Sequence, residues 1–199
     1  MKTKSAGWVP WDAMTTRRAL GVIGGIAMLS VYLARSEQGW VPLIDWANLV
    51  FHEAGHVIYG LLGRTMGLYG GVLGQLTFPV VCAGVFWYRR NPVGFAICVA
   101  WFFQNFFGIS QYMADARSQE LPLVGGGEHD WFNILDRWDA LDRDVELARR
   151  VRMWGNLGLW LVAAWTGWRW WQTRLEELNA PAPQGPRAPV SQANRHGLR

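Results

Sequence analysis

The chain is poor in cysteine, in histidine and in charge. Its 199 residues contain two cysteines, Cys82 and Cys98, each within an apolar run, and four histidines. This cysteine spacing does not support a Cys-based zinc site or a disulfide framework, and it predicts two buried thiols. Charged residues make up 17% of the chain. A site built from ionisable side chains therefore has few candidates, and the position of each one is informative.

The small positive charge does not indicate a nucleic-acid partner. The formal net charge is +4, and the basic residues flank apolar segments. A nucleic-acid surface would instead collect Lys and Arg on one face or along one stripe. Lys and Arg beside apolar segments are typical of the ends of membrane spans.

Apolar and aromatic residues are abundant. Hydrophobic residues make up 51% of the chain, and tryptophan alone occurs 14 times. Tryptophan favours the membrane–water interface because its ring is apolar while its N–H needs a polar partner. Several tryptophans lie near the ends of apolar runs: Trp40, Trp87, Trp154, Trp168, Trp170 and Trp171. The pattern predicts an integral membrane protein, which we expect in the bacterial inner (plasma) membrane.

Five apolar runs predict an all-α, polytopic membrane helical bundle of four to five spans. The runs are 19–34, 41–63, 68–88, 93–114 and 151–171. The third run contains several glycines and Pro79, which fits either a full span or a re-entrant segment. The span count is five in the first case and four in the second.

The remaining segments are polar. Residues 1–18 form an N-terminal arm, and residues 115–150 form the only long polar loop between runs. Within that loop, 133–150 interleaves apolar residues with charge, which predicts an amphipathic surface helix. Residues 173–199 form a C-terminal tail rich in Pro, Ala, Gln and Arg towards its end, for which we expect mostly disorder.

The second run carries a chemical motif, His52-Glu53-Ala54-Gly55-His56. Residues four apart lie on one face of a helix, so both imidazoles can bind one zinc ion. The carboxylate between them can then act as the base that activates a water molecule. Three ionisable residues inside a membrane segment are costly, and such residues are functional candidates by default. The pattern predicts a Zn²⁺ site with Glu53 as the catalytic residue.

A catalytic zinc normally takes three protein ligands, and the third is open between Asp115 and His129. Asp115 ends the fourth run, whose polar residues Gln104 and Gln111 share its helical face. That face either bonds neighbouring helices or lines the metal cavity. His129 follows three glycines that would let the loop fold back. The alternatives are an interfacial Asp115 paired with Arg117 and a solvated His129.

Two further residues are candidates for contacts with substrate or with the metal ligands. Asn105 lies in the fourth run, and Asp130 directly follows His129. The amide of Asn105 can pair with a peptide backbone, although an ordinary bond between helices would also satisfy it.

The chain resembles the site-2 protease family of intramembrane zinc metalloproteases. That family carries H-E-x-x-H in one span and an aspartate ligand in a later span, with an asparagine nearby. In this chain the matching positions are His52, Glu53, His56, Asn105 and Asp115. The later motif lacks the family's Pro and Gly and has a longer Asn-to-Asp spacing, so His129 remains an alternative ligand. The resemblance covers roughly residues 41–115 and implies a divergent, reduced member of the family. The apolar runs set the bounds of this membrane metalloprotease-like domain at 19–172.

Three functions follow as hypotheses. The first is a zinc metalloprotease that hydrolyses peptide bonds of membrane-associated protein or peptide substrates. The second is a membrane zinc hydrolase that acts on a lipid amide or another amphiphile. The third is a non-enzymatic metal-binding membrane protein. A transporter should carry acidic or His residues along several spans, and only one such cluster is found, which disfavours this third hypothesis.

Overall fold

The computed structural model describes residues 10–36, 39–124 and 128–180, and it is helical with no strand in these ranges. The prediction of an all-α fold is therefore confirmed. Six α-helices follow one another: α1 (Thr16–Arg35), α2 (Ile44–Gly60), α3 (Arg64–Tyr88), α4 (Pro92–Ala114), α5 (Asp130–Arg137) and α6 (Asp144–Asn179). A short 3-10 helix, Leu141–Arg143, precedes α6.

Three of the described helices, α1, α3 and α4, are long and apolar enough to cross a membrane. The third apolar run forms one continuous helix, α3, with Pro79 inside it. Many large apolar side chains are exposed on the outside of the bundle, among them Met28, Val57 and Leu161. An apolar surface of this kind is expected where lipid covers the protein.

Helices α1, α4 and α6 pack around one apolar core. Its buried residues are Val22, Ile26, Leu33, Ala96, Ala100, Phe107, Leu159, Val162 and Ala163. The side chain of Arg152 on α6 donates a hydrogen bond to the Leu33 carbonyl at 2.7 Å and satisfies a C-terminal carbonyl of α1. The core fixes α4, and the residues of α4 that face away from α1 reach the candidate site.

Helices α2 and α3 meet through glycines. A Cβ added to Gly55 of α2 would lie 2.8 Å from the Cα of Gly74 and 2.9 Å from the carbonyl carbon of Gly70. Real Cβ atoms essentially never approach other atoms so closely, so the contact requires glycine. Small residues let helix backbones approach each other in a bilayer. The contact brings α3 directly against the face of α2 that carries the histidines.

The predicted surface helix 133–150 is wrong in its bounds, because two helices replace it. Helix α5 ends at Arg137, and Asp139 adopts a left-handed φ of 50°. The backbone N–H of Ala140 donates to the Leu135 carbonyl at 2.9 Å, and that of Asp139 donates to Asp136 at 3.0 Å. This pair of bonds is the Schellman motif that ends a helix.

The fifth run also differs from its prediction. It belongs to α6, which is 36 residues long and continues to Asn179. The first seven residues of the predicted tail, 173–179, are therefore helical. The Thr173 hydroxyl accepts a hydrogen bond from the backbone N–H of Met14 at 3.1 Å, which ties this end of α6 to the N-terminal segment. The rest of the predicted tail, 181–199, and residues 1–9 of the predicted arm lie outside the described residues.

Candidate metal centre

One stripe of α2 faces the interior of the bundle. Its buried residues are Asp45, Asn48, His52 and Gly55, spaced by three or four residues. This spacing is that of a single helical face. The opposite face exposes apolar side chains such as Val50 and Val57. The sequence thus directs the first histidine of the motif inward while the outer face of α2 stays apolar.

His52 and His56 converge on one carboxylate oxygen, Oδ2 of Asp130. The distance from this oxygen to Nε2 is 2.9 Å for His52 and 3.1 Å for His56. In a tetrahedral zinc site with bonds of about 2.0–2.2 Å, two ligand atoms lie roughly 3.3 Å apart. The two N···O distances are therefore within a few tenths of an ångström of those in a zinc ligand set, and all three atoms lie within 4.8 Å of one another. His52 and Asp130 are buried, and His56 is half-buried.

The hydrogen bond at Nδ1 of His56 determines that its other ring nitrogen, Nε2, faces Asp130 as an acceptor. Its Nδ1 lies 2.8 Å from the Gly67 carbonyl, which only accepts hydrogen bonds, so Nδ1 carries a proton. In the neutral imidazole Nε2 then presents a lone pair to the Asp130 carboxylate. Two electron-rich atoms 3.1 Å apart need either a proton or a metal ion between them. A bond from the far nitrogen to a carbonyl is also the usual support of a metal-binding histidine.

Gly71 of α3 keeps space open beside the two imidazoles. A Cβ at this position would overlap Nε2 and Cε1 of His52 and would lie 2.7 Å from Nε2 of His56. The side chain of any other residue would therefore press against both Nε2 atoms. Glycine at 71 keeps α3 from displacing the imidazoles, and two histidines with one aspartate form a set that could hold a metal ion such as Zn²⁺.

Helix α5 places Asp130 next to His52 and His56. Asp130 is its first residue, and the preceding His129 caps the helix by accepting the backbone N–H of Phe132 at Nδ1, 3.2 Å away. Three apolar residues of α5 pack against α3, α4 and the start of α6: Trp131, Ile134 and Leu135. Their burial fixes the helix, so the N-terminal carboxylate is held towards α2.

The predicted third ligands lie elsewhere. Nε2 of His129 is 3.3 Å from Oδ2 of Asp115, so these two residues pair with each other. The structure brings Asp130 to the imidazoles in the place expected for Asp115 or His129. The physical reason is that Asp115 is already engaged, since it accepts hydrogen bonds from the backbone N–H groups of Glu120 and Leu121 at 2.9 and 3.1 Å.

Both simpler alternatives for these residues also differ from the structure. Arg117 pairs with Asp144 of α6 at 2.7 Å and not with Asp115. His129 is buried and not solvated. Burial would raise the pKa of the Asp115 carboxyl, but the hydrogen bonds that it accepts, the first of them from the Glu120 N–H, outweigh burial and lower it. Asp115 is thus a charged anchor for the segment that leads to α5.

Glu53 shares one cavity with the three candidate ligands. The cavity has a volume of about 830 Å³ and opens between α2, α4 and the segment that precedes α5. Glu53 is exposed along this cavity, whereas His52 and Asp130 are buried in its wall. Leu121, Pro122, Leu123 and Val124 also line it. A carboxylate that is open to the cavity beside the ligand set can exchange protons with a molecule bound there.

Five carboxamide side chains also line the cavity. They are Asn48, Gln75, Asn105, Gln111 and Asn133. The Nδ2 group of Asn48 donates to Asp45 at 2.8 Å and to Gln104 at 3.0 Å, forming a buried polar network between α2 and α4. Gln104 thus bonds a neighbouring helix, while Gln111 lines the cavity. The polar face of α4 therefore both bonds α2 and lines the cavity, the two alternatives that the sequence left open.

Asn105 has a half-satisfied amide. Its Nδ2 group donates to the Trp101 carbonyl of the same helix at 3.0 Å, so it makes no bond to another helix through this group. Its Oδ1 is buried and has no hydrogen-bond partner among the described residues. Leaving a buried amide oxygen unpaired is costly, and the position of Asn105 in the cavity wall lets a bound molecule pair with it.

Two features of the site have no direct signal in the sequence. Gly71 is one of several glycines in the third run, and nothing in their spacing distinguishes the one beside the histidines. Asp130 lies three residues before the predicted surface helix 133–150, and the sequence predicts it only as a supporting residue. The two cysteines, Cys82 and Cys98, are both free; Cys98 is buried as predicted, whereas Cys82 is only half-buried.

Comparisons with protein-family models, with curated proteins and with solved structures found no match to this chain.

Proposed function

We propose that this chain is an integral membrane zinc metalloprotease that hydrolyses peptide bonds of membrane-associated substrates, in the bacterial inner membrane. The observation that carries the proposal is the convergence of His52, His56 and Asp130 beside Glu53 in one cavity. Two histidines, one carboxylate and a nearby free glutamate are the parts of a catalytic zinc site.

The membrane part of the proposal rests on more than the three long apolar helices. Helix α6 has 36 residues and is about 54 Å long, which exceeds the roughly 30 Å of a bilayer core. Helix α2 is shorter, with 17 residues, but its outer face is apolar. We place both in the bilayer with α1, α3 and α4. This arrangement gives five spans, within the four to five that the sequence predicts.

In this proposal metal binding and proton transfer are assigned to different residues of the chain. His52, His56 and Asp130 hold the ion, which would supply a water of pKa about 7 and polarise the scissile carbonyl. Glu53 takes the proton of the attacking water and later gives it to the leaving amine. Such transfer requires a carboxylate that is open to the cavity, and Glu53 is the exposed carboxylate within the motif.

The lining of the cavity favours a peptide over a lipid amide. A peptide backbone offers an N–H and a C=O at every residue, and a carboxamide can both donate to and accept from such groups. Five carboxamides line the cavity, and Oδ1 of Asn105 still needs a donor. The amide of Asn48 is already bonded within the protein at both ends. A lipid amide presents one such group on an apolar tail and could pair with fewer of the remaining amide groups.

Substitution of Glu53 tests the proposal. Glu53→Gln should keep zinc, because the carboxylate is not among the converging ligand atoms. It should lower the hydrolysis of quenched fluorescent peptides by about 10²–10⁴-fold, the usual contribution of a general base. The measurement uses detergent-purified, zinc-loaded protein, with an acyl-amide lipid assayed in parallel.

Glu128→Gln is the matched control, because Glu128 lines the same cavity and bonds only Asn133 among the described residues. It should retain most of the parent rate. Equal peptide hydrolysis by the parent and Glu53→Gln proteins would contradict the proposal. Turnover of the lipid amide without turnover of peptides would assign the second hypothesis instead.

A further inference from the structure

The ring of Tyr112 on α4 packs beside the imidazoles of His52 and His129. Its ring centroid is 6.0 Å from that of His52, edge to face, and 4.2 Å from that of His129. It lines the same cavity as His52, Glu53, His56 and Asp130. Its side chain is half-buried, and its ring packs against the imidazoles of His52 and His129. Nothing in the motif itself points to this residue.

The Tyr112 hydroxyl is oriented by one hydrogen bond. Its oxygen accepts the backbone N–H of Asp130 at 3.1 Å. No described residue accepts the hydroxyl's own proton. A phenol both donates and accepts, so this arrangement fixes the oxygen and leaves its O–H free to donate. The free O–H therefore belongs to a side chain that is hydrogen-bonded to Asp130, the third residue of the candidate ligand set.

Attack of water on a peptide carbonyl places negative charge on the carbonyl oxygen. A hydrogen-bond donor fixed in advance beside that oxygen stabilises the transition state, and tyrosine is one of the side chains that serve this purpose. Glu53 is an acceptor when ionised and cannot do so. The rings of His52 and His56 point their Nε2 atoms at Asp130. Tyr112 is the cavity residue whose free O–H lies next to this group.

We propose that Tyr112 is a further catalytic residue, whose hydroxyl donates a hydrogen bond to the oxyanion that forms when the scissile carbonyl is attacked. The inference rests on the proposed function. No proton is transferred in this role, because the hydroxyl donates a hydrogen bond and keeps its proton. The bond forms with the reacting oxygen and is absent, or weaker, with the planar carbonyl.

Binding of a small metal-chelating anion tests this role without any knowledge of the substrate. Acetohydroxamate places an oxygen anion at a bound zinc ion, so a nearby donor should strengthen its binding. Tyr112→Phe keeps the ring and removes only the hydroxyl. In zinc-loaded, detergent-purified protein, this variant should keep its zinc and bind acetohydroxamate about 10- to 100-fold more weakly, as for a lost hydrogen bond to a charged group.

Tyr69→Phe is the matched control. The Tyr69 hydroxyl accepts the Trp138 indole N–H at 3.0 Å on the outer side of α5, and Tyr69 does not line the cavity. This variant should bind acetohydroxamate as the parent does. Equal acetohydroxamate affinity in zinc-loaded parent and Tyr112→Phe proteins would overturn the proposal. So would loss of zinc from Tyr112→Phe, which would make the hydroxyl a support for Asp130.

The same titration separates this proposal from the proposed function. A parent protein that binds zinc and acetohydroxamate but cleaves no peptide would refute the protease, and the Tyr112→Phe affinity would still decide whether the hydroxyl faces a metal-bound anion. A parent protein that binds no zinc would overturn both.

Discussion

Replacing Asp130 with alanine is expected to weaken zinc binding by at least about 100-fold. Loss of a residue that only supports a metal ligand usually costs 10- to 100-fold in affinity, and loss of a ligand should cost more. The Asp130 carboxylate is the group on which the His52 and His56 imidazoles converge. A competition titration with a zinc chelator of known affinity, on detergent-purified protein, measures the change.

Two variants make this prediction specific. Asp136→Ala alters an exposed carboxylate on the same helix and should leave zinc affinity unchanged. Asp115→Ala removes the anchor of the segment that leads to α5, and it should weaken zinc binding by about 10- to 100-fold as a supporting residue does. A larger loss with Asp115→Ala than with Asp130→Ala would show that Asp115 is the third ligand after all.

The second large effect on zinc affinity is expected for Gly71→Ala, which adds a single methyl group. Gly71→Ala places a Cβ against Nε2 of both His52 and His56, two of the candidate ligand atoms. Overpacking of this kind in a tight interior shifts side chains and backbone. We expect zinc affinity to fall by at least about 100-fold, because the ligand nitrogens themselves must move. The same chelator competition measures it.

Gly84→Ala is the matched control for Gly71→Ala. It lies on the same helix, α3, and a Cβ there would meet nothing within 4 Å. Its helix should be preserved or slightly stabilised, because alanine has a higher helix propensity than glycine. Unchanged zinc affinity in Gly71→Ala, with the protein still folded, would mean that the metal does not lie between α2 and α3.

The local half of the candidate site could be predicted because it is contained in one helical turn. His52, Glu53 and His56 are close in space whenever 52–56 is helical, whatever the rest of the chain does. The inward stripe of α2 follows from the same periodicity. The all-α fold is likewise a consequence of long apolar runs, which need internal backbone hydrogen bonds in a bilayer.

The remote half of the site depends on tertiary packing. Asp115, His129 and Asp130 are near one another in the chain, and their types do not show which carboxylate reaches α2. The choice is made by hydrogen bonds from Glu120 and Leu121 to Asp115 and by the apolar packing of α5, which turns Asp130 inward.

The bounds of the surface helices were missed for a similar reason. Amphipathic periodicity continues across 133–150, whereas a left-handed Asp139 ends α5 inside that range. Asp tolerates this conformation better than most residues, but it is a weak stop signal beside glycine. The span count also depends on more than hydropathy, since α6 carries charged residues at both ends and α2 is short.

The most direct test of the central claim is the zinc content of detergent-purified protein after reconstitution with zinc and removal of excess metal. The parent should hold one zinc ion per chain, and His52→Ala and His56→Ala should each hold none, because a site with only two of its three ligands binds poorly. Absence of zinc from a folded parent protein, or retention of zinc in both histidine variants, would contradict a metal centre on α2.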